Sequence, residues 1–147
     1  MATVQDVAAY ILEKAGTITT MKLQKLVYYG QAWSLVWDEK PLFSAPIKAW
    51  VDGPVVPALY AEHKGKFKIS HGEISGNPTA VSPEQRDVID RVLNFYGEMS
   101  GQQLSQLSHE EAPWREARQG CGPNELVSPE IPHDRIAAYY ANLKPSV

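Results

Sequence analysis

At 147 residues, with 44% hydrophobic and 21% charged side chains and a net charge of -3, the chain has the size of one domain and enough apolar mass for a core. That balance excludes a disordered tail, and a pI of 5.8 with no dominant basic stripe argues against nucleic acid as a partner. Cys121 is the only cysteine, so no internal disulfide forms and a reducing compartment, the cytoplasm, is expected.

The opening "MATVQDVAAYILEKAG" carries Asp6 and Glu13 through its apolar positions, unlike a signal peptide or a membrane span. Val4, Val7, Ala8, Ile11, Leu12 and Ala15 recur at helical spacing, with Thr3 as cap and Gly16 as stop. After "TIT", the segment "TMKLQKLVYYGQAWSLVWD" shows two apolar stripes, Leu23, Leu26, Val27, Gly30, Ser34 and Trp37 on one and Tyr29, Ala32, Trp33 and Val36 on the other. Two stripes predict a central, nearly enclosed helix. A third line holds Gln24, Tyr28, Gln31 and Leu35. Its amides either face water or tie down a neighbouring loop; if the line is covered, they need partners, because a buried unpaired polar group costs about 1 to 3 kcal/mol.

"KPLFSAPIKAWVDG" alternates loosely and predicts a short strand ended by Gly53, with Phe43, Ile47, Ala49 and Val51 on one phase and Lys48, Trp50 and Asp52 on the other. In "DGPVVPALY" two prolines bracket an extended stretch over 54–56, and a short helix is expected from Pro57, sending Leu59 and Tyr60 into the core. A phosphate loop does not fit here, since proline donates no amide hydrogen and the P-loop lysine is missing. His63 and Lys64 suit the negative end of that helix. "KFKISHGEISG" predicts a strand turned back at His71 and Gly72 into a second one, giving a small antiparallel sheet. Lys64, Lys66 and Lys68 fit the protection of an edge strand better than a basic ridge for nucleic acid.

Ser82 with Gln85, and Ser100 with Gln103, are capping boxes that open two further helices. The first buries Val88, Ile89, Val92, Leu93 and Tyr96, and the second Leu104 and Leu107. Another helix is expected from Pro113 with Trp114, Ala117 and Arg118, then a surface connection "QGCGPNELVSPEIP", then a closing helix with Ile136, Tyr139, Tyr140 and Leu143. The order predicts a mostly helical single domain over 1–147, an α+β fold with a small antiparallel β-sheet.

"MKLQKLVYYGQAW", "PLF", "IKAWVDGPVVPALY" and "LSQLSHEEAPWREAR" together resemble the Panacea-domain antitoxin family, whose members include SocA-like and GepA-like phage-associated proteins. The resemblance runs from the first helix to the last, and the order of the Lys-Leu-Gln-Lys-Leu helix, the Gly-Pro-Val corner and the His-to-Pro-Trp segment is what makes it specific. The family pattern falls on Gln24, Lys25, Tyr28, Gln31, Trp50, Gly53, Pro54, His109 and Trp114, most of them as framework. The resemblance implies a prokaryotic, non-enzymatic domain that neutralises a cognate protein toxin, encoded by an adjacent gene, through direct binding. No cofactor is implied. An adaptor of a phage or mobile element that delivers a partner to other machinery is the alternative.

The chemistry-bearing residues fit that reading. His63, His71, His109 and His133 lack the spacing of a zinc site, and "HEEAP" lacks the second histidine of a metalloprotease helix, so no metal is expected. Cys121 has no basic neighbour to activate it and is expected to be an incidental loop thiol. Glu110, Glu111 and Glu116 beside Arg115 and Arg118 are expected to form a solvated, salt-bridged helix start, with no apolar pocket to raise a carboxyl pKa. No catalytic residue is assigned. Partner-contact candidates are Gln24, Tyr28, Gln31, Trp50, Gly53, Pro54, His109, Trp114 and Arg115, aromatic and arginine side chains being common interface anchors. A sheet edge adds strand pairing as a second route, and self-association stays open.

Overall fold

The computed structural model describes residues 2–143. Among them the chain forms seven α-helices and two separate two-stranded antiparallel sheets, a mostly helical α+β arrangement. Helix α1 (Val4–Ala15) starts at a full capping box between Thr3 and Asp6 and stops at Gly16, whose φ is 76°. Helix α2 (Thr20–Trp37) is the hub. It is buried without interruption from Leu23 to Ser34 and packs against α1, α4 (Pro83–Tyr96), α5 (Gly101–Glu110) and α7 (His133–Ala141). Both predicted capping boxes, Ser82 with Gln85 and Ser100 with Gln103, are formed. Helix α6 (Ala112–Ala117) begins one residue earlier than Pro113, which leaves the proline inside the first turn where its missing amide is harmless.

The strands differ most from expectation. Lys48–Trp50 (β2) pairs with Gly53–Val55 (β3) in a tight hairpin, so the extended stretch after Gly53 is itself a strand. Pro54 is tolerated because its partner Ala49 turns its amide and carbonyl outward, to the Pro129 carbonyl at 2.8 Å and the Arg118 guanidinium at 3.0 Å. The second sheet is not a hairpin through His71 and Gly72. Lys68–Ile69 (β4) pairs instead with Ile18–Thr19 (β1), the segment that joins α1 to α2. Helix α3 (Pro57–His63) lies between the two sheets in sequence, and a 3-10 turn at Pro78–Ala80 seats against α1, where Asp6 accepts from the Asn77 amide at 2.8 Å.

The buried apolar residues form one cluster around α2, with Trp33, Tyr28, Tyr29 and Tyr140 its largest members. No helix among the described residues is long and apolar enough to cross a membrane.

Candidate partner-binding face

The third line of α2 is covered, and each amide on it secures a loop. Gln24 Oε1 accepts from the Val56 amide at 2.9 Å, and its Nε2 donates to the Val56 carbonyl at 3.3 Å and to His63 Nε2 at 2.9 Å. Because the amide nitrogen only donates, His63 Nε2 must be the acceptor and the ring proton sits on Nδ1. His63 is therefore a buried neutral ring rather than a surface cation at a helix end, and burial holds its pKa low. About two turns further on, Gln31 accepts from the Leu42 amide at 2.7 Å and donates to the Phe43 carbonyl at 2.9 Å. Both glutamines thus tie down loops.

Tyr28 and Tyr29 open a different network. Tyr28 donates to the Tyr140 hydroxyl at 3.0 Å, which donates to Glu111 at 2.6 Å, while Tyr29 reaches the same carboxylate oxygen at 2.7 Å. The expectation of a solvated glutamate cluster fails here. Glu110 and Glu116 are exposed, but Glu111 is buried at the α5–α6 junction, and burial raises its pKa while the two tyrosine hydrogen bonds pull it partly back. Arg118 is buried too, because its guanidinium donates to the carbonyls of Ala49, Gly122 and Glu125. Arg115 stays exposed on the Glu110 carbonyl.

These contacts attach the hairpin to the connection over 119–132, which lies at the surface as expected. Trp114 Nε1 donates to the Trp50 carbonyl at 2.7 Å, and Trp50 Nε1 to Ser128 at 2.8 Å. Trp50 also meets the half-buried Tyr60 edge-on. Trp37, Trp50 and Trp114 are all half-buried, and Pro54 is enclosed.

Two adjoining hollows open on the face built this way. The first, about 540 Å³, lies between α2, the hairpin and α3, with Lys25 and Gln24 inside, Trp50 and Tyr60 at the wall and Leu126 at the rim. The second, about 820 Å³, runs on toward α5 past Phe67, Ser105 and His109. They share Thr20, Met21 and Asp52. Phe67 and Leu126, 74% and 93% exposed, are two of the three large apolar side chains exposed among the described residues, and both stand on this face.

The face is charged in an unusual way. Lys25 is only 1% exposed, and no hydrogen bond or ion pair satisfies its ammonium among the described residues. Burial brings its pKa down to about 8, against a smaller upward pull from Asp52. Gly53 is what makes room for it, since a Cβ there would sit 2.7 Å from Lys25 Cε and 3.1 Å from Ser108 Oγ. His109 stacks on Trp114 with ring centroids 4.1 Å apart, and its Nε2 is buried without a partner. Burial, then the charge of Lys25, holds the His109 pKa low.

Of the predicted residues, Gln24, Trp50, Gly53, His109 and Trp114 gather around these hollows, whereas Tyr28 and Gln31 are core and loop supports. Lys25, Met21, Asp52 and Leu126 are the members that residue reading missed. A signal existed for one, since Lys25 heads the stripe of Tyr29, Ala32 and Val36 at i+4, i+7 and i+11, an odd place for a cation. Among the described residues no group of histidine, cysteine or carboxylate side chains is placed to hold a metal.

Residues 23–115 match the family described as Antitoxin SocA-like, Panacea domain. The chain is 34% identical over 134 residues to Antitoxin SocA of Caulobacter vibrioides (strain NA1000 / CB15N), an alignment that covers 80% of this chain and 71% of that protein. No solved structure matches the chain. The matched region spans α2, the hairpin and the His109–Trp114 stack, so the chain belongs to the SocA-like Panacea-domain antitoxin family.

Proposed function

We propose that this chain is a single-domain antitoxin that neutralises a protein toxin by binding it directly, and that the paired hollows around Met21 and Asp52 are the contact face. The observation that carries the reading is the placement of Phe67 and Leu126. Large apolar groups exposed this far cost hydration in the free chain and gain most when a partner covers them. Here they flank two open hollows instead of being scattered over the surface. Trp50, held by Ser128 and Tyr60, supplies a rigid aromatic wall of the kind that dominates protein interfaces. Nothing in this reading requires turnover. The unpartnered groups of the face fit recognition, since Ser105, a hydroxyl that shares the second hollow with His109, donates to the Asp52 carbonyl and leaves His109 Nε2 without a partner, so no hydrogen-bonded nucleophile and base is formed there.

The test is growth of cells that express the open reading frame beside this gene, with and without the chain. The wild type restores growth and co-purifies with the neighbouring product. Phe67→Asp with Leu126→Asp leaves the circular-dichroism spectrum unchanged, because both side chains are exposed, yet abolishes rescue and co-purification. Full rescue by that double variant would put the contact surface elsewhere.

A further inference from the structure

The first hollow carries a feature that apolar contact does not explain. A lysine side chain buried as Lys25 is, whose ammonium keeps access only to the hollow it lines, pays a desolvation penalty that proteins offset with an ion pair or hydrogen bonds. Lys25 has neither among the described residues. Its neighbours do not compensate. Asp52 lies on the same face but is exposed and makes no ion pair with it, and the imidazoles of His63 and His109 are themselves pushed toward neutrality by burial and by the lysine's charge. Gly53 keeps open the space that the ammonium occupies, and the hollow above it is walled by Trp50, Tyr60 and Val55. The result is a socket with an apolar wall and a cationic floor.

We propose that the socket receives a carboxylate side chain, an Asp or Glu of the partner protein, which pairs with Lys25 when the toxin docks. The proposal rests on the direct-binding reading above and names the chemistry of one contact within it. A carboxylate brought in by the partner would satisfy the ammonium inside a wall that excludes water, where a charge-assisted hydrogen bond is about twice as strong as a neutral one. Asp52 does not oppose this strongly, because an exposed charge is screened by solvent. The unpaired state of Lys25 in the free chain is then a cost carried for recognition, in the way that a site built around a charge rejects partners that cannot answer it.

The experiment compares the full-length wild type with Lys25→Met for binding to the purified product of the neighbouring gene by calorimetry. Methionine fills the same space without the charge, so the variant is expected to keep its helical spectrum and to melt at or above the wild-type temperature, while its affinity falls at least tenfold. In parallel, the Lys25 ammonium resonance of wild type labelled at lysine Nζ is expected to shift on adding the partner, and this decides the matter should the variant misfold. A complex that Lys25→Met leaves as tight as wild type overturns the proposal and leaves the antitoxin reading standing. An unshifted Lys25 resonance in a formed complex does the same. If 3-phenylpropionate moves that resonance while Lys25→Met binds the partner normally, the socket serves a free carboxylate, and the proposal is again wrong. If the wild type neither binds nor rescues, direct binding fails and the proposal falls with it.

Discussion

Glu111→Ala is expected to lower folding stability by about 3 kcal/mol, because two buried hydroxyls that meet at one carboxylate lose their acceptor at about 1 to 3 kcal/mol each. Tyr140 recovers part of this by turning to Tyr28. The loss is large because of what Glu111 joins. It fastens α2, through Tyr29, and α7, through Tyr140, to the α5–α6 junction, and the tyrosine rings pack edge to face around it. Urea denaturation of the variant measures the cost, and a change below about 0.5 kcal/mol would mean that the network holds without its carboxylate.

The same residue predicts an inverted pH dependence. Burial raises the Glu111 pKa above the ordinary 4.5, so the unfolded chain releases this proton at lower pH than the folded one does. Its contribution to stability is therefore fully present below pH 4.5 and is lost as pH rises through the raised value. Asp6 and Glu62 behave oppositely, as their pKa values are lowered by hydrogen bonds from Asn77 and Thr3 and from Ser75, working against burial in each case. The difference between wild type and Glu111→Gln isolates the term, since glutamine still accepts from both tyrosines but cannot ionise. The variant is expected to gain on wild type as pH is raised above 4.5.

The second large effect is at Gly53. Its φ of 119° closes the hairpin in a region that residues with a Cβ rarely adopt, and a Cβ there would press on Lys25 and Ser108. Gly53→Ala is expected to cost about 1 to 3 kcal/mol from the backbone alone, with the displacement of Lys25 added to it. At about 2 to 4 °C per kcal/mol, the melting temperature falls by several degrees. Rescue of growth is expected to fall further than stability does, because the hairpin turn and the floor of the first hollow move together. An alanine variant that melts like wild type and rescues fully would show that neither the turn nor the socket depends on this glycine.

The helices were legible in the sequence because their signals are local. Thr3, Ser82 and Ser100 each bring a partner three residues on, and the double stripe of α2 announces a helix enclosed on nearly all sides. The strands were not, because segments of two or three residues carry too little pattern to name a partner, and β4 pairs with β1 across 49 positions, with α2, the hairpin and α3 between them in sequence. Glu111 was misread for a related reason. In sequence it is one of several glutamates beside arginines, and only the packing of α2 and the last helix against the α5–α6 junction brings Tyr29 and Tyr140 to it as donors and apolar cover. The spacing of Gln24 and Gln31 leaves their amides either facing water or tying down a loop, and the choice between these, like the exposure of Leu126, depends on long-range packing that a single chain does not spell out.

The central claim is that the face around Met21 and Asp52 meets the toxin, and amide hydrogen exchange of the chain with and without the neighbouring gene's product tests it most directly. The account predicts slowed exchange over 19–25, 50–56 and 126–128 in the complex, with α1 and the 3-10 turn at Pro78–Ala80 unchanged. Protection confined to α1 and that turn, or no protection at saturating partner, would contradict it.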